Sequence, residues 1–136
     1  EGQKAVELVK KTAEHMAAIH NCSVSFGKMM QNTGIPVINN PAFASRARSV
    51  ACKLFGKEAV PDDFPLWYAS ESFSRYCKAY PGVLALLGIN NPELGSGAEH
   101  HNERFDIDED ALEMGVKTTV AYVLSLMHEG LPEKLS

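Results

Sequence analysis

Two adjacent histidines, His100 and His101, are the residues of this sequence best suited to chemistry. They lie in a loop rich in glycine and asparagine, residues 90–104, that follows a short apolar segment. An imidazole in such a loop could bind a metal ion or carry a proton near neutral pH. Adjacent side chains usually point in different directions, so we expect only one of the two histidines to reach any one ion. Spacing alone leaves a metal ligand and a hydrogen-bonded loop histidine both open.

The other candidate residues have structural explanations. Glu71 lies at the start of a short polar and aromatic helix, where a carboxylate compensates the helix dipole. His15 and His20 are five residues apart rather than the four that would put two ligands on one helix face. The three cysteines form no Cys-x-x-Cys pair, and we interpret them as reduced packing residues of a cytoplasmic protein.

Composition excludes several classes of protein. A hydrophobic fraction of 45% is too high for a disordered chain, and 136 residues suffice for one domain of ordinary size. The net charge of −4 argues against a nucleic-acid partner. The longest apolar run, Val83–Ile89, is far shorter than the roughly 20 residues that span a bilayer. We therefore expect neither a nucleic-acid nor a membrane partner. With no signal peptide at the N-terminus, the predicted location is the cytoplasm.

Helices and one strand are predicted to position the histidine loop. The apolar run Val83–Ile89 is bounded by turn residues and is typical of a strand buried on both faces. The last helix is predicted to begin at an Asp106–Glu109 capping box, with Asp106 as the N-cap, and to end at Gly130. The pattern therefore predicts an α/β fold, with mixed α+β layers, in which helices pack on a partial sheet. The other predicted helices cover residues 3–20, 41–55 (capped by Asn40 and Gly56) and 70–79.

Four blocks of sequence, in this order, resemble the C-terminal half of a family of metal-dependent amidohydrolases and carboxypeptidases. This family includes the hippurate hydrolases and the indole-acetyl-amino-acid hydrolases. Four blocks in register are far more specific than any one of them. The blocks are residues 36–41, 69–74, 80–88 and 100–112.

The resemblance implies the C-terminal part of a two-domain metallo-amidohydrolase. Residues 1–31 would be the remnant of a lid domain that mediates dimer formation, and residues 32–136 the C-terminal part of the α/β catalytic domain. The full-length protein would be a homodimer. It would hydrolyse N-acyl amino acids or small peptide-like amides with two divalent metal ions per active site, Zn or alternatively Mn, Co or Ni.

The resemblance also implies roles for individual residues. His101 falls on a metal ligand of the family, while His100 takes the place of a neighbour that is not a ligand, and Glu71 lies near the site. The chain departs from the family at two positions. Ser72 stands where an aspartate is usual, and Glu103 replaces a proline in the loop that carries His101.

Most of the catalytic machinery that the resemblance implies is absent from this sequence. The family's His-x-Asp-x-His element and Glu-Glu pair, which supply most metal ligands and the general base, do not occur here. We therefore predict no catalytic residue in this chain, and expect a fragment of an amidohydrolase that is inactive on its own. The alternative is a non-catalytic stand-alone relative with a binding or self-association role. A packing domain without a site would require the four matches to be coincidental.

Overall fold

The computed structural model describes residues 2–27, 34–63 and 66–132. The chain forms two units, one made of residues 1–36 and 69–72 and the other of residues 37–68 and 73–136. The domain boundary predicted between residues 31 and 32 lies outside the described residues.

The first unit consists mainly of helix α1, Gly2–Ile19. The helix begins and ends one residue earlier than predicted, and Asn21 after it adopts the left-handed backbone conformation with φ 53°. This turn lets the Cys22 N–H donate to the carbonyl of Ala17 at 2.8 Å, which satisfies a carbonyl of the last helical turn. Most of the large apolar side chains of α1 are exposed, and Val6 is half-buried. The exposed ones are Leu8, Val9, Met16 and Ile19.

Helix α2, Pro41–Phe55, confirms both predicted ends. The side chain of Asn40 accepts hydrogen bonds from the backbone N–H groups of Ala42 and Phe43, at 3.1 and 3.3 Å. Proline is well tolerated at the first helical position, because a backbone N–H there would have no hydrogen-bond partner within the helix. Gly56 ends the helix with φ 86°.

The predicted start of helix α4 was wrong by several residues. α4 runs from Asp110 to Glu129, and the side chain of Asp108 accepts the N–H of Asp110 at 3.1 Å. Asp106, the predicted cap, instead accepts the N–H of its neighbour Ile107 at 2.8 Å. Either aspartate has the right chemistry for a cap. In the structure Glu109 takes the N-cap position without a side-chain capping bond, and Asp108 bonds one free N–H, that of Asp110.

The core of the second unit lies where α2 packs against α4. Phe43 and Val50 of α2 and Ala111 of α4 are its buried apolar side chains. At the other end of α4, the Arg46 guanidinium pairs with the Glu129 carboxylate at 3.0 Å and donates to the carbonyl of Ser125 at 3.3 Å. The two helices are therefore joined by apolar packing and by this bridge. A short helix, α3 (Ser74–Ala79), is shorter than the predicted 70–79.

The predicted sheet is not seen, so the prediction of helices packed on a partial sheet was wrong. The described residues contain helices and connecting segments but no strand. Val83–Ile89 is an extended segment without a partner strand in that part of the chain, and the side chain of Leu86 is exposed. A strand needs a neighbouring strand to bond its N–H and C=O groups, and an apolar run does not provide one.

A side chain holds part of this extended segment instead. The amide of Asn39 donates to the carbonyl of Leu84 at 2.9 Å and accepts the N–H of the same residue at 2.8 Å. The next residue, Asn40, donates its backbone N–H to the carbonyl of Gly82 at 2.9 Å. These three bonds attach the start of the segment to the N-terminus of α2.

An apolar stripe runs along α4 and is exposed. Nothing among residues 37–63, 66–68 and 73–132 covers it, although Leu87 of the extended segment lies beside Gly115. In the described ranges, no helix is both long and apolar enough to cross a membrane. The stripe consists of Leu112, Val116, Thr119, Val120, Val123 and Met127.

Candidate functional site

The histidine loop starts from a buried turn held by Ser96. The side chain of Ser96 is only 7% exposed. Its hydroxyl accepts the N–H of Asn91 at 2.7 Å and lies 3.1 Å from the carbonyl of Ile89, to which it can donate. Gly97 follows with φ 123°, a backbone conformation that L side chains rarely adopt, and a Cβ there would overlap the side-chain oxygen of Asn90.

The end of the loop returns to the same turn. The Asp108 N–H donates to the carbonyl of Ile89 at 3.0 Å, and the Asn91 side-chain amide donates to the Asp108 carboxylate at 2.7 Å. Residues 97–107 therefore form a loop of the second unit whose two ends meet at this turn.

His101 is exposed at the tip of this loop and has a left-handed backbone, with φ 64°. Left-handed backbone in a residue other than glycine costs on the order of 1 kcal/mol or more, and such residues are concentrated at functional sites. The turn after it is well defined, because the side chain of Asn102 accepts the N–H of Arg104 at 2.9 Å. His101 thus lies exposed in a left-handed turn of the loop.

His100 has different surroundings. Its ring stacks on that of Phe105, with centroids 5.2 Å apart, and lies 6.0 Å from the ring of Trp67. Trp67 and Phe105 are themselves 51% and 41% exposed. The two adjacent histidines thus differ in their surroundings, since the His100 ring has aromatic neighbours and His101 is exposed.

Glu71 belongs to the other unit of the chain. Its carboxylate accepts a hydrogen bond from the hydroxyl of Ser72 at 3.4 Å. Ser72 is the residue that stands where the resembled family usually has an aspartate. Glu71 and the histidine loop belong to different units, so the location of Glu71 near the histidine site stays a prediction.

The described residues do not fit a complete metal site. No group of three or more histidine, cysteine, aspartate or glutamate side chains in the described part of the chain is placed to hold an ion. One imidazole does not bind a metal tightly, since protein sites use three or four ligands. His101 is suited to be one ligand, and the rest of a coordination sphere would have to come from elsewhere.

Sequence reasoning missed the residues that support the loop. Asn91 and Asp108 are 17 positions apart, and no local pattern pairs them. Trp67 is the only tryptophan of the chain, and this rarity was the only sequence feature that could have drawn attention to it. Ser96 lies between two glycines, a context that indicates a turn but not the burial of its hydroxyl.

Comparison with known proteins gives relatives of one kind. The chain is 25% identical over 114 residues to thermostable carboxypeptidase 1 of Saccharolobus solfataricus, covering 82% of this chain and 27% of that protein. It is 33% identical over 86 residues to IAA-amino acid hydrolase ILR1-like 6 of Arabidopsis thaliana, covering 63% of this chain and 18% of that protein. The chain thus spans about a quarter or less of the length of these curated relatives. No solved structure matches it significantly.

A family match covers most of the chain and confirms the relationship predicted from the four sequence blocks. Residues 2–125 match the peptidase family M20/M25/M40, whose members are generally metal-dependent. Both relatives carry the names of hydrolases. The chain therefore belongs to peptidase family M20/M25/M40.

Proposed function

We propose that this chain is the C-terminal part of a metal-dependent amidohydrolase that cleaves N-acyl amino acids or small peptide-like amides. The family match over residues 2–125 carries the proposal. The names of the relatives, a carboxypeptidase and an amino acid hydrolase, support an amide substrate with a free amino-acid end. The chain alone is inactive in this proposal, because its described residues form no set of metal ligands and its sequence lacks the Glu-Glu pair of the family.

The proposed contribution of this chain to the active site is His101. Its exposure at the loop tip and its left-handed backbone support a ligand role. The proposed metal is Zn²⁺, with Mn²⁺, Co²⁺ and Ni²⁺ as alternatives, since imidazole and carboxylate ligands suit all of them. No catalytic step is assigned to the described residues.

Removing the metal is expected to abolish hydrolysis by the full protein. The protein would be treated with 1,10-phenanthroline and assayed on a series of N-acyl amino acids. Zn²⁺, Mn²⁺, Co²⁺ and Ni²⁺ would then be added back separately, with Ca²⁺ as the control because it prefers oxygen ligands. Activity that survives complete metal removal would contradict the proposal. Detection of the protein in native extract at the mass of 136 residues, without amidase activity, would favour the non-catalytic alternative.

Self-association is proposed for the first unit, as the remnant of a lid domain in residues 1–31. The exposed apolar side chains of α1 support it, since contiguous exposed apolar surface commonly marks a protein interface. The full protein is expected to have the mass of a homodimer by light scattering, and Val9→Lys to shift it toward the monomer. Lys11→Ala, a change at an exposed polar position of the same helix, is the control. A monomeric mass for the unaltered protein would refute the dimer.

A further inference from the structure

We infer that the stripe of α4 and the neighbouring segment Val83–Ile89 form one contact face, and that a non-helical segment from the upstream part of the same hydrolase covers it. This inference rests on the proposed function, in which the chain is the C-terminal part of a longer protein. The two elements belong to one unit and touch, because Leu87 lies against Gly115. The glycine permits this approach, since a Cβ at 115 would lie 3.1 Å from Cδ2 of Leu87.

The contact face is apolar along the whole of α4. From Leu112 to Met127 the stripe is about 22 Å long, at the usual rise per residue of a helix. Its side chains are well exposed, Val116 at 63% and Met127 at 74%. Exposed apolar surface of this extent typically marks an interface. A groove of about 390 Å³ lies in the face, lined by Leu87, Leu112, Gly115, Val116, Thr119 and Val120.

The segment adds free backbone groups to these apolar side chains. Its start is bonded, because the Asn39 amide serves Leu84, and its end is bonded, because the carbonyl of Ile89 accepts the N–H of Asp108. Between these points, residues 85–88 make no backbone hydrogen bond within the ranges that the structure describes. Buried N–H and C=O groups almost always have partners. Whatever covers this face must therefore bring donors and acceptors as well as apolar side chains.

These two requirements together define the covering segment. A helix would match the apolar stripe, but its own N–H and C=O groups bond within the helix and would leave residues 85–88 without partners. A non-helical segment can meet both requirements. This chain matches only 27% of the length of the carboxypeptidase relative, so in a protein of that length most of the polypeptide is available to supply the segment. Self-association is proposed for α1 in the other unit, which leaves this face for contact within the subunit.

Single cysteines on α4 test the inference in the full protein. Val116→Cys places a thiol in the stripe with little change in volume. Lys117→Cys is the matched control, because Lys117 is the next residue and its exposed ammonium pairs with Glu113. Each variant would be labelled with a maleimide, and the rate measured by mass spectrometry on the peptide that carries the new cysteine, so that the native cysteines do not contribute.

We expect Val116→Cys to react at least about 100-fold more slowly than Lys117→Cys, because a covered thiol reacts only when the contact opens. Hydrogen exchange at the amides of residues 85–88 should be slow in the unaltered full protein, since the covering segment bonds them. Equal labelling rates for the two cysteines would overturn the inference. Rapid exchange at all four amides would also overturn it.

A dilution series, with light scattering at each concentration, distinguishes the two sources of cover. Protection of Val116→Cys that persists at the mass of one subunit supports a contact within the subunit. Protection that is lost as the mass falls means that a second copy covers the face, which overturns the inference. Amidase activity of the same preparations separates this inference from the proposed function. An active protein with equal labelling rates overturns the contact face alone. A protein protected at 116 that hydrolyses no N-acyl amino acid with any of the four metals overturns the proposed function alone.

Discussion

Replacing His101 with alanine is expected to lower kcat/KM of the full protein on an N-acyl amino acid by at least about 100-fold. The reason is that loss of a group that only orients a metal ligand already costs 10- to 100-fold, and loss of the ligand should cost more. Metal content per subunit should fall in parallel. Steady-state kinetics and elemental analysis of the purified variant are the measurements.

The backbone at His101 provides an unusually clean control. Glycine adopts φ 64° without strain, so His101→Gly keeps the loop conformation and removes the imidazole. If alanine acts only by distorting the loop, the glycine variant will recover activity, and the ligand assignment is then wrong. If the imidazole is required, both variants stay inactive. His128→Ala, at an exposed position near the end of α4, should leave activity within two-fold.

Replacing Phe43 with alanine is expected to cost about 3 kcal/mol of folding free energy, the usual loss when a buried phenyl ring is removed. Phe43 is 7% exposed and lies in the core shared by α2 and α4, where few apolar side chains are fully buried. Removing the ring leaves a cavity between the two helices, which adds to the loss of buried apolar surface. Urea denaturation followed by circular dichroism measures the loss.

Leu54→Ala is the matched comparison for Phe43. Both residues are on α2, but Leu54 is 45% exposed, so its truncation should cost less than about 1 kcal/mol. Equal losses in the two variants would mean that the core is not where α2 meets α4. A loss in Phe43→Ala without any change in kcat would further show that this core supports the fold rather than the chemistry.

The features that could be predicted from the sequence depend on neighbouring residues. Helix α2 was predicted with both ends because Asn40, Pro41 and Gly56 act within one turn of the helix. The last helix was predicted with its end at Gly130, but its start was misplaced, since aspartates at 106 and 108 both have capping chemistry. Glu109 takes the N-cap position, and Asp108 bonds the N–H of Asp110 while its own backbone and side chain contact Ile89 and Asn91.

The strand prediction failed for a different reason. The run Val83–Ile89 has the composition of a buried strand, but a strand also needs a partner for its backbone groups. In the part of the chain that the structure describes, the amide of Asn39 serves Leu84 in place of a neighbouring strand. An apolar run indicates which side chains avoid water, but it does not identify a partner strand.

Composition and family resemblance predicted where the candidate site lies in the sequence, but they did not predict its geometry. A loop with two adjacent histidines is conspicuous in the sequence, and the resemblance distinguished His101 from His100. The contact between the rings of Trp67 and His100 leaves no local signal, because the two residues are far apart in the sequence. The left-handed backbone of His101 also has no signal in the residue type, since histidine is not glycine.

The exposed stripe of α4 is expected to affect the abundance of this chain in a cell. Exposed apolar surface is a site for association with other proteins, and chaperones and proteases act on proteins that expose it. A copy of the chain whose stripe stays uncovered would be handled as an incompletely assembled protein even while α2 and α4 remain folded. Its abundance would then be governed by how quickly the stripe is covered after synthesis, and a mutation that affects only this covering would act as a loss of protein rather than a loss of activity.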